Sequence, residues 1–136
     1  MSILTNDISG YIRSLDGGFF AGGYREGDLG ENILVEGVDF DFFQIGERYK
    51  FTSKTDGDKE VIVEITEPME PCANLCKLPY INDPSLASAK ERVARCQYFI
   101  EALGQKMGMR GWYAKVLEGG MIQVGSSVSP VLEAAL

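Results

Sequence analysis

The sequence predicts a single, mainly β domain: a β-barrel of short strands with one long helix and short helical turns. Three observations carry that expectation. Runs rich in β-branched and aromatic residues recur along the chain, separated by polar, Gly and Pro punctuation. Glycine is abundant, at 16 residues, which suits many turns and close backbone approaches. Only one segment, Pro84 to Met107, shows sustained helical periodicity. At 136 residues the chain fits one domain, residues 1–136, large enough to bury a core.

Taken in order, Met1 to Gly30 is weakly patterned. Ile3, Ile8, Tyr11 and Ile12 suit a short strand or a helical turn, and Gly17-Gly18 and Gly22-Gly23 mark loop around Phe19-Phe20. Glu31 to Phe43 reads as a strand, a turn at Gly37 and a short second piece. Glu47 to Thr66 reads as a hairpin. Tyr49-Lys50-Phe51-Thr52 alternates, Thr55-Asp56-Gly57-Asp58 turns, and Val61 to Ile65 returns as a β-branched strand. Pro68 and Pro71 then stop the sheet, since each lacks a backbone donor.

Pro84 to Met107 is the predicted helix, with Asp83 as its cap and Pro84 at its first position. Leu86, Ala89, Val93, Cys96, Ile100, Leu103 and Met107 recur every three or four residues and define one apolar stripe. Gly108 marks the stop. Trp112 to Leu117, a Glu118-Gly119-Gly120 turn and Met121 to Val124 read as a second hairpin. Ser126 to Leu136 is expected to give a closing strand or an ordered tail.

Charge and composition narrow the function. The net charge is −7 and the pI about 4.6, so a general nucleic-acid binder is not expected. A small anionic ligand remains compatible if a few Arg and Lys gather locally. No apolar run approaches the ~18 residues that span a membrane, and the N-terminus lacks the layout of a secretory signal, so no membrane association is expected. Three cysteines at irregular spacing do not suggest a disulfide framework. The chain reads as cytoplasmic, or organellar in a eukaryote. It contains no histidine, which removes imidazole acid–base and Cys-His or Ser-His chemistry.

Thiols are therefore the leading groups for covalent or metal chemistry. Cys72, in Pro71-Cys72-Ala73-Asn74-Leu75-Cys76-Lys77-Leu78, follows a strand and a proline. A loop thiol there is either presented for function or simply a small buried residue. Cys76 lies four residues on, but nothing completes a tetrahedral zinc site. Cys96 sits on the helix stripe and reads as core. Gly27 to Ile33 allows close backbone approach and places the Asn32 amide at a strand start, although an ordinary turn would look the same. In Arg110-Gly111-Trp112-Tyr113-Ala114-Lys115-Val116, Arg110 and Lys115 offer positive charge and Tyr113 a wall with a polar handle. A half-buried strand with solvated cations is equally consistent. No phosphate loop and no flavin or nicotinamide fingerprint is present.

In this order, Gly30-Glu31-Asn32-Ile33, Pro71-Cys72, Gly111-Trp112-Tyr113-Ala114-Lys115-Val116-Leu117-Glu118-Gly119-Gly120 and Ile122-Gln123-Val124-Gly125 resemble the MOSC domain family, named for the C-terminal domain of molybdenum-cofactor sulfurases. The resemblance covers about residues 27–128. Ser126 stands where the family often has Asp after the closing Gly, and the N-terminal part is short for the family. The resemblance implies a MOSC-like β-barrel that binds a molybdenum-pterin cofactor of the molybdopterin type, in a family also associated with pyridoxal phosphate binding. It implies sulfur transfer or reduction of N-hydroxylated and other N-oxygenated compounds, with a separate electron-donor protein as partner. Carried over by position, Cys72 is the catalytic and molybdenum-binding thiol, with Cys76 as the alternative. Arg110, Lys115, Tyr113 and Lys77, with Arg25 beside them, would hold the anionic cofactor, and Asn32 would orient the ligand or the Cys loop. The contrasting expectation is a non-catalytic β-barrel module that carries a cofactor or contacts a protein.

Overall fold

A computed structural model describes residues 1–53, 59–85 and 87–132 of the protein. Its centre is a six-stranded curled sheet, a half-barrel with strand order β2-β1-β5-β4-β3-β6. The strands are β1 (Ser2–Thr5), β2 (Ile33–Val35), β3 (Arg48–Thr52), β4 (Glu60–Pro68), β5 (Trp112–Glu118) and β6 (Ser127–Pro130). β1 and β2 pair in parallel, and every other neighbouring pair in the sheet is antiparallel.

The strands follow the alternation in the sequence. In β4, Val61, Val63 and Ile65 are buried while Ile62 and Glu64 are only partly covered. The buried set packs with Tyr49, Phe51, Trp112 and Ala114 inside the curl. A second core lies on the other side of β1 and gathers Leu4, Ile8, Ile12, Phe20, Leu75, Phe99 and Leu103. Ile3 serves the first core and Leu4 the second, so β1 is buried on both faces and divides them. The β3–β4 hairpin forms as expected. Its expected turn, Thr55 to Asp58, lies outside the described residues, as does Leu86 of the helix stripe.

The N-terminal stretch is more regular than its sequence suggests. After β1 comes the helix α1 (Asn6–Ser14), which buries Ile8, Ser9 and Ile12, and then a 3-10 segment, Leu15–Gly22. The long helix, α2, spans Ala89–Leu103 rather than Pro84 to Met107. Asp83 does not cap it. The Asp83 carboxylate accepts from the Ser85 N–H at 2.9 Å and its hydroxyl at 2.6 Å, closing a local turn. Ser88 is the cap: its hydroxyl accepts from the Glu91 N–H at 3.2 Å, and Ser88-Ala89-Lys90-Glu91 has the capping-box spacing. Gly104, not Gly108, ends the helix. The buried residues are Cys96, Phe99, Ala102 and Leu103, whereas Val93 and Met107 are exposed. Only the C-terminal half of α2 lies against the core, so the stripe fails at its start.

The second predicted hairpin does not form. Both edges of β5 are already taken, by β1 and β4, so Met121 to Val124 has no edge left to pair with. The chain instead crosses over and adds β6 to β3. Trp112 then fixes the end of the curl, donating from Nε1 to the Phe40 carbonyl at 2.8 Å. Gly108 makes room for it: its φ is +91°, and a Cβ there would sit 2.2 Å from Trp112 Cζ2.

Gly108→Ala is therefore expected to cost about 2–4 kcal/mol, from backbone strain plus overpacking. Gly119→Ala, with no neighbour within 4 Å of the new Cβ, should stay within about 0.5 kcal/mol of the parent. Ser88→Ala should cost about 1 kcal/mol through loss of the cap. Urea titrations followed by far-ultraviolet circular dichroism check all three. Equal midpoints for Gly108→Ala and Gly119→Ala would contradict the packing described.

Candidate functional site

The loop after β4 presents one thiol and locks up another. As β4 ends, the Met69 N–H donates to the Gly111 carbonyl at 2.9 Å, which keeps the strand's exit beside the start of β5. Cys72 follows Pro71 and is exposed. Its carbonyl accepts from the Leu75 N–H at 3.0 Å, starting the short 3-10 turn Ala73–Lys77. Leu75 and Ile81 are buried and anchor the loop in the helical core. Cys76 is joined to Cys96 of α2 by a disulfide, with a Cα–Cα distance of 5.2 Å. This corrects two expectations. The cysteines do include a disulfide pair, and Cys76, with its sulfur so bonded, is not a free metal ligand. Cys72 is the free thiol and is exposed, whereas Cys96 is 5% exposed, in line with the loop and core placements read from the sequence.

Arg110 meets this loop. It is half-buried, and Cys72, Tyr113, Glu31 and Tyr24 all lie within its electrostatic reach. Burial pulls its guanidinium below the usual arginine value, and those neighbours pull it back up. Its Nη1 makes only a long contact, 4.0 Å, to the Met69 sulfur. Its Nε is buried without a hydrogen-bond partner. Glu31 Oε2 and Tyr80 Oη share that condition. Glu31 acts electrostatically on both Arg110 and Tyr80, and Tyr24 does the same. A buried polar atom left unmatched costs about 1–3 kcal/mol.

The remaining expected residues divide. Asn32 holds the loop: its Oδ1 accepts from the Ser2 N–H at 2.8 Å and the Ser2 hydroxyl at 3.1 Å, tying Gly30-Glu31 to β1. The Glu31 Oε1 atom accepts from the Gly27 N–H, which holds the carboxylate in place. Tyr113 is partly exposed on the outer face of β5, within reach of Arg110. Lys115 is also on that face but is bound to Glu64 at 3.6 Å, further along the strand. Lys77 is not gathered with Arg110; it lines a groove between the 3-10 turn and α2. Arg25 lines a separate cleft with Asp28 and Tyr80, and its Nη1 donates to the Tyr24 carbonyl at 3.0 Å. Glu31, Tyr24 and Tyr80 were not legible as site residues. Glu31 lies in the Gly30-Glu31-Asn32-Ile33 motif without having been singled out, and the one signal at Tyr24 and Tyr80 is a polar tip on a bulky side chain within Gly- and Pro-rich loop. Among the described residues, no group of three or more Cys, Asp or Glu could hold a metal ion.

Burial holds the Tyr24 and Tyr80 phenols above their ordinary value of 10.0, with Asp28 and Glu31 pushing the same way and the Ser9 hydrogen bond partly offsetting it at Tyr24. A raised pKa in the folded state contributes stability that is complete below the unfolded value and is lost as pH rises. Stability should thus fall above about pH 10. Tyr80→Phe should flatten that fall. At neutral pH it should leave the free protein unchanged or up to about 1 kcal/mol more stable, because it removes an orphaned hydroxyl. Urea midpoints measured across alkaline pH check both. Strong destabilisation of Tyr80→Phe at pH 7 would mean that the hydroxyl is satisfied.

The comparisons bear on the fold and the family. A solved structure described as a hypothetical protein matches with a TM-score of 0.66 at 14% sequence identity, over 98% of this chain and 52% of that one. The chain thus spans about half the length of that structure, and the likeness is one of fold. No curated protein matches. The model of the MOSC domain matches residues 20–129, from the 3-10 segment before Tyr24 to β6, and includes Glu31, Cys72, Tyr80 and Arg110. By that match over most of its length, the chain belongs to the MOSC domain family.

Proposed function

We propose that this domain binds a molybdenum-pterin cofactor at the Cys72–Arg110 site and serves N–O bond reduction or sulfur transfer. The observation that carries the proposal is an exposed free thiol, Cys72, within electrostatic reach of the half-buried Arg110, whose Nε is buried without a hydrogen-bond partner. The donor set fits the group. A thiolate is a soft ligand suited to a molybdenum–sulfur centre. A single protein sulfur is enough for a metal already chelated by its own organic ligand. Arg110 can donate to phosphate, Glu31 can accept from pterin N–H groups, and Tyr80 can do either.

Each residue then has a distinct task. Cys72 supplies the sulfur, and Arg110 supplies positive charge beside it in a chain that is otherwise strongly acidic. Glu31 and Tyr80 orient the organic part, and Asn32 keeps the Glu31 loop on β1. The bound cofactor would supply two-electron chemistry at its metal, with electrons delivered by a separate protein. Lys115 pairs with Glu64 further along the strand, and this reading gives it no role.

Cofactor released from a molybdoenzyme and offered to the purified domain tests this, with retained molybdenum and pterin measured separately. Arg110→Ala should weaken pterin retention roughly ten- to a hundredfold, equivalent to ~1.5–3 kcal/mol. Lys115→Ala should change it by less than about twofold, as for an exposed pair. Cys72→Ser should keep pterin but lose the sulfur ligand in molybdenum X-ray absorption. Retention by the parent no better than by Arg110→Ala would sink the proposal. Retention without turnover of any N-hydroxylated substrate would favour the carrier reading.

A further inference from the structure

Beside the Cys76–Cys96 disulfide runs a groove of about 460 Å3 between the 3-10 turn Ala73–Lys77 and the Ala89-to-Ile100 stretch of α2. Both sulfur-bearing residues line it. So do Lys77 and Arg92, together with the amides Asn82 and Gln97, and among the described residues no carboxylate does. In a chain of net charge −7, that is a local reversal of sign. The two halves of the disulfide are unequal: Cys96 is 5% exposed and packed in the helical core, whereas Cys76 is half-buried at the groove wall. Lys77 is the residue next to Cys76 and is exposed.

We propose that this groove is a thiol–disulfide exchange site for small thiols that carry carboxylates. The cations draw the anionic thiol in and favour its thiolate form next to Cys76. The thiolate attacks Cys76 Sγ, the Cys76–Cys96 bond breaks, and Cys96 leaves as a thiolate that takes a proton from water. The product is a mixed disulfide on Cys76. A second molecule of the thiol attacks that mixed disulfide, releases Cys76 and departs as the small-molecule disulfide. Two thiols are oxidised and the protein disulfide is reduced by two electrons. The site does not use Cys72 or Arg110 and stands independently of the cofactor proposal.

Protein carrying Cys72→Ser, purified without reductant, isolates the chemistry. Mercaptosuccinate serves as the anionic thiol and 2-mercaptoethanol as the neutral one, with adducts followed by intact mass and located by peptide mapping after acid quench. The expected adduct is on Cys76. Adding Lys77→Gln and Arg92→Gln should slow mercaptosuccinate by roughly tenfold and leave 2-mercaptoethanol within about twofold. Because Arg92 also donates to the Ala87 carbonyl, Lys77→Gln alone carries the same comparison if the double change disturbs folding. An adduct on Cys96, equal slowing of both thiols, or free Cys76 and Cys96 in the native protein would each overturn the proposal.

Discussion

The arrangement of the site depends on Gly111 having no side chain. Its φ is +117°, and a Cβ there would lie 3.0 Å from the Ile3 carbonyl oxygen. Only glycine adopts that backbone while lying so close to β1. From this one residue the carbonyl reaches the Met69 N–H, and the next residue, Trp112, pairs with Ile3 on one side and Pro68 on the other. The end of β4, the start of β5 and the middle of β1 thus converge. Arg110, immediately before Gly111, is delivered to the Cys72 loop by that convergence.

The same neighbourhood explains why the thiol and the cation are held differently. Cys72 owes its exposure to a loop pinned elsewhere, by Leu75 and Ile81 in the core and by the Cys76–Cys96 bond to α2. Arg110 is held by partial burial, with no hydrogen-bonded carboxylate among the described residues, and Glu31 acts on it through space. Three unmatched buried atoms are a standing cost to the free protein, which selection for stability alone would remove. Two sulfur chemistries, one exposed and one bonded, sit on adjacent turns of the same segment.

Much of the fold could be read from residue pattern. Val61, Val63 and Ile65 announce a strand with one buried face, and they form one. What pattern could not supply was partner choice. Met121 to Val124 looks like a returning strand, yet whether β5 has a vacant edge depends on β1, whose residues lie more than a hundred positions away. The start of α2 was misplaced for a related reason. Asp83 and Ser88 are both good caps by type, and the Ser85 hydrogen bonds to Asp83 decide between them. At the candidate site, motif order is what singled out Cys72 and Arg110 in the sequence. Lys115 shares the motif but faces Glu64, a pairing set by cross-strand register and invisible locally. Tyr24 and Tyr80 come from segments far apart in sequence, so their meeting is a product of tertiary packing alone.

Trp112 is the chain's single tryptophan, 3% exposed, with its indole N–H bonded to the Phe40 carbonyl and Arg110 two residues away. An indole so enclosed emits from apolar surroundings, free of any overlapping tryptophan signal. The protein therefore carries its own optical probe at the foot of the candidate site. A chromophore settling beside Arg110 would quench that emission by energy transfer, so occupancy can be followed in the unlabelled native protein.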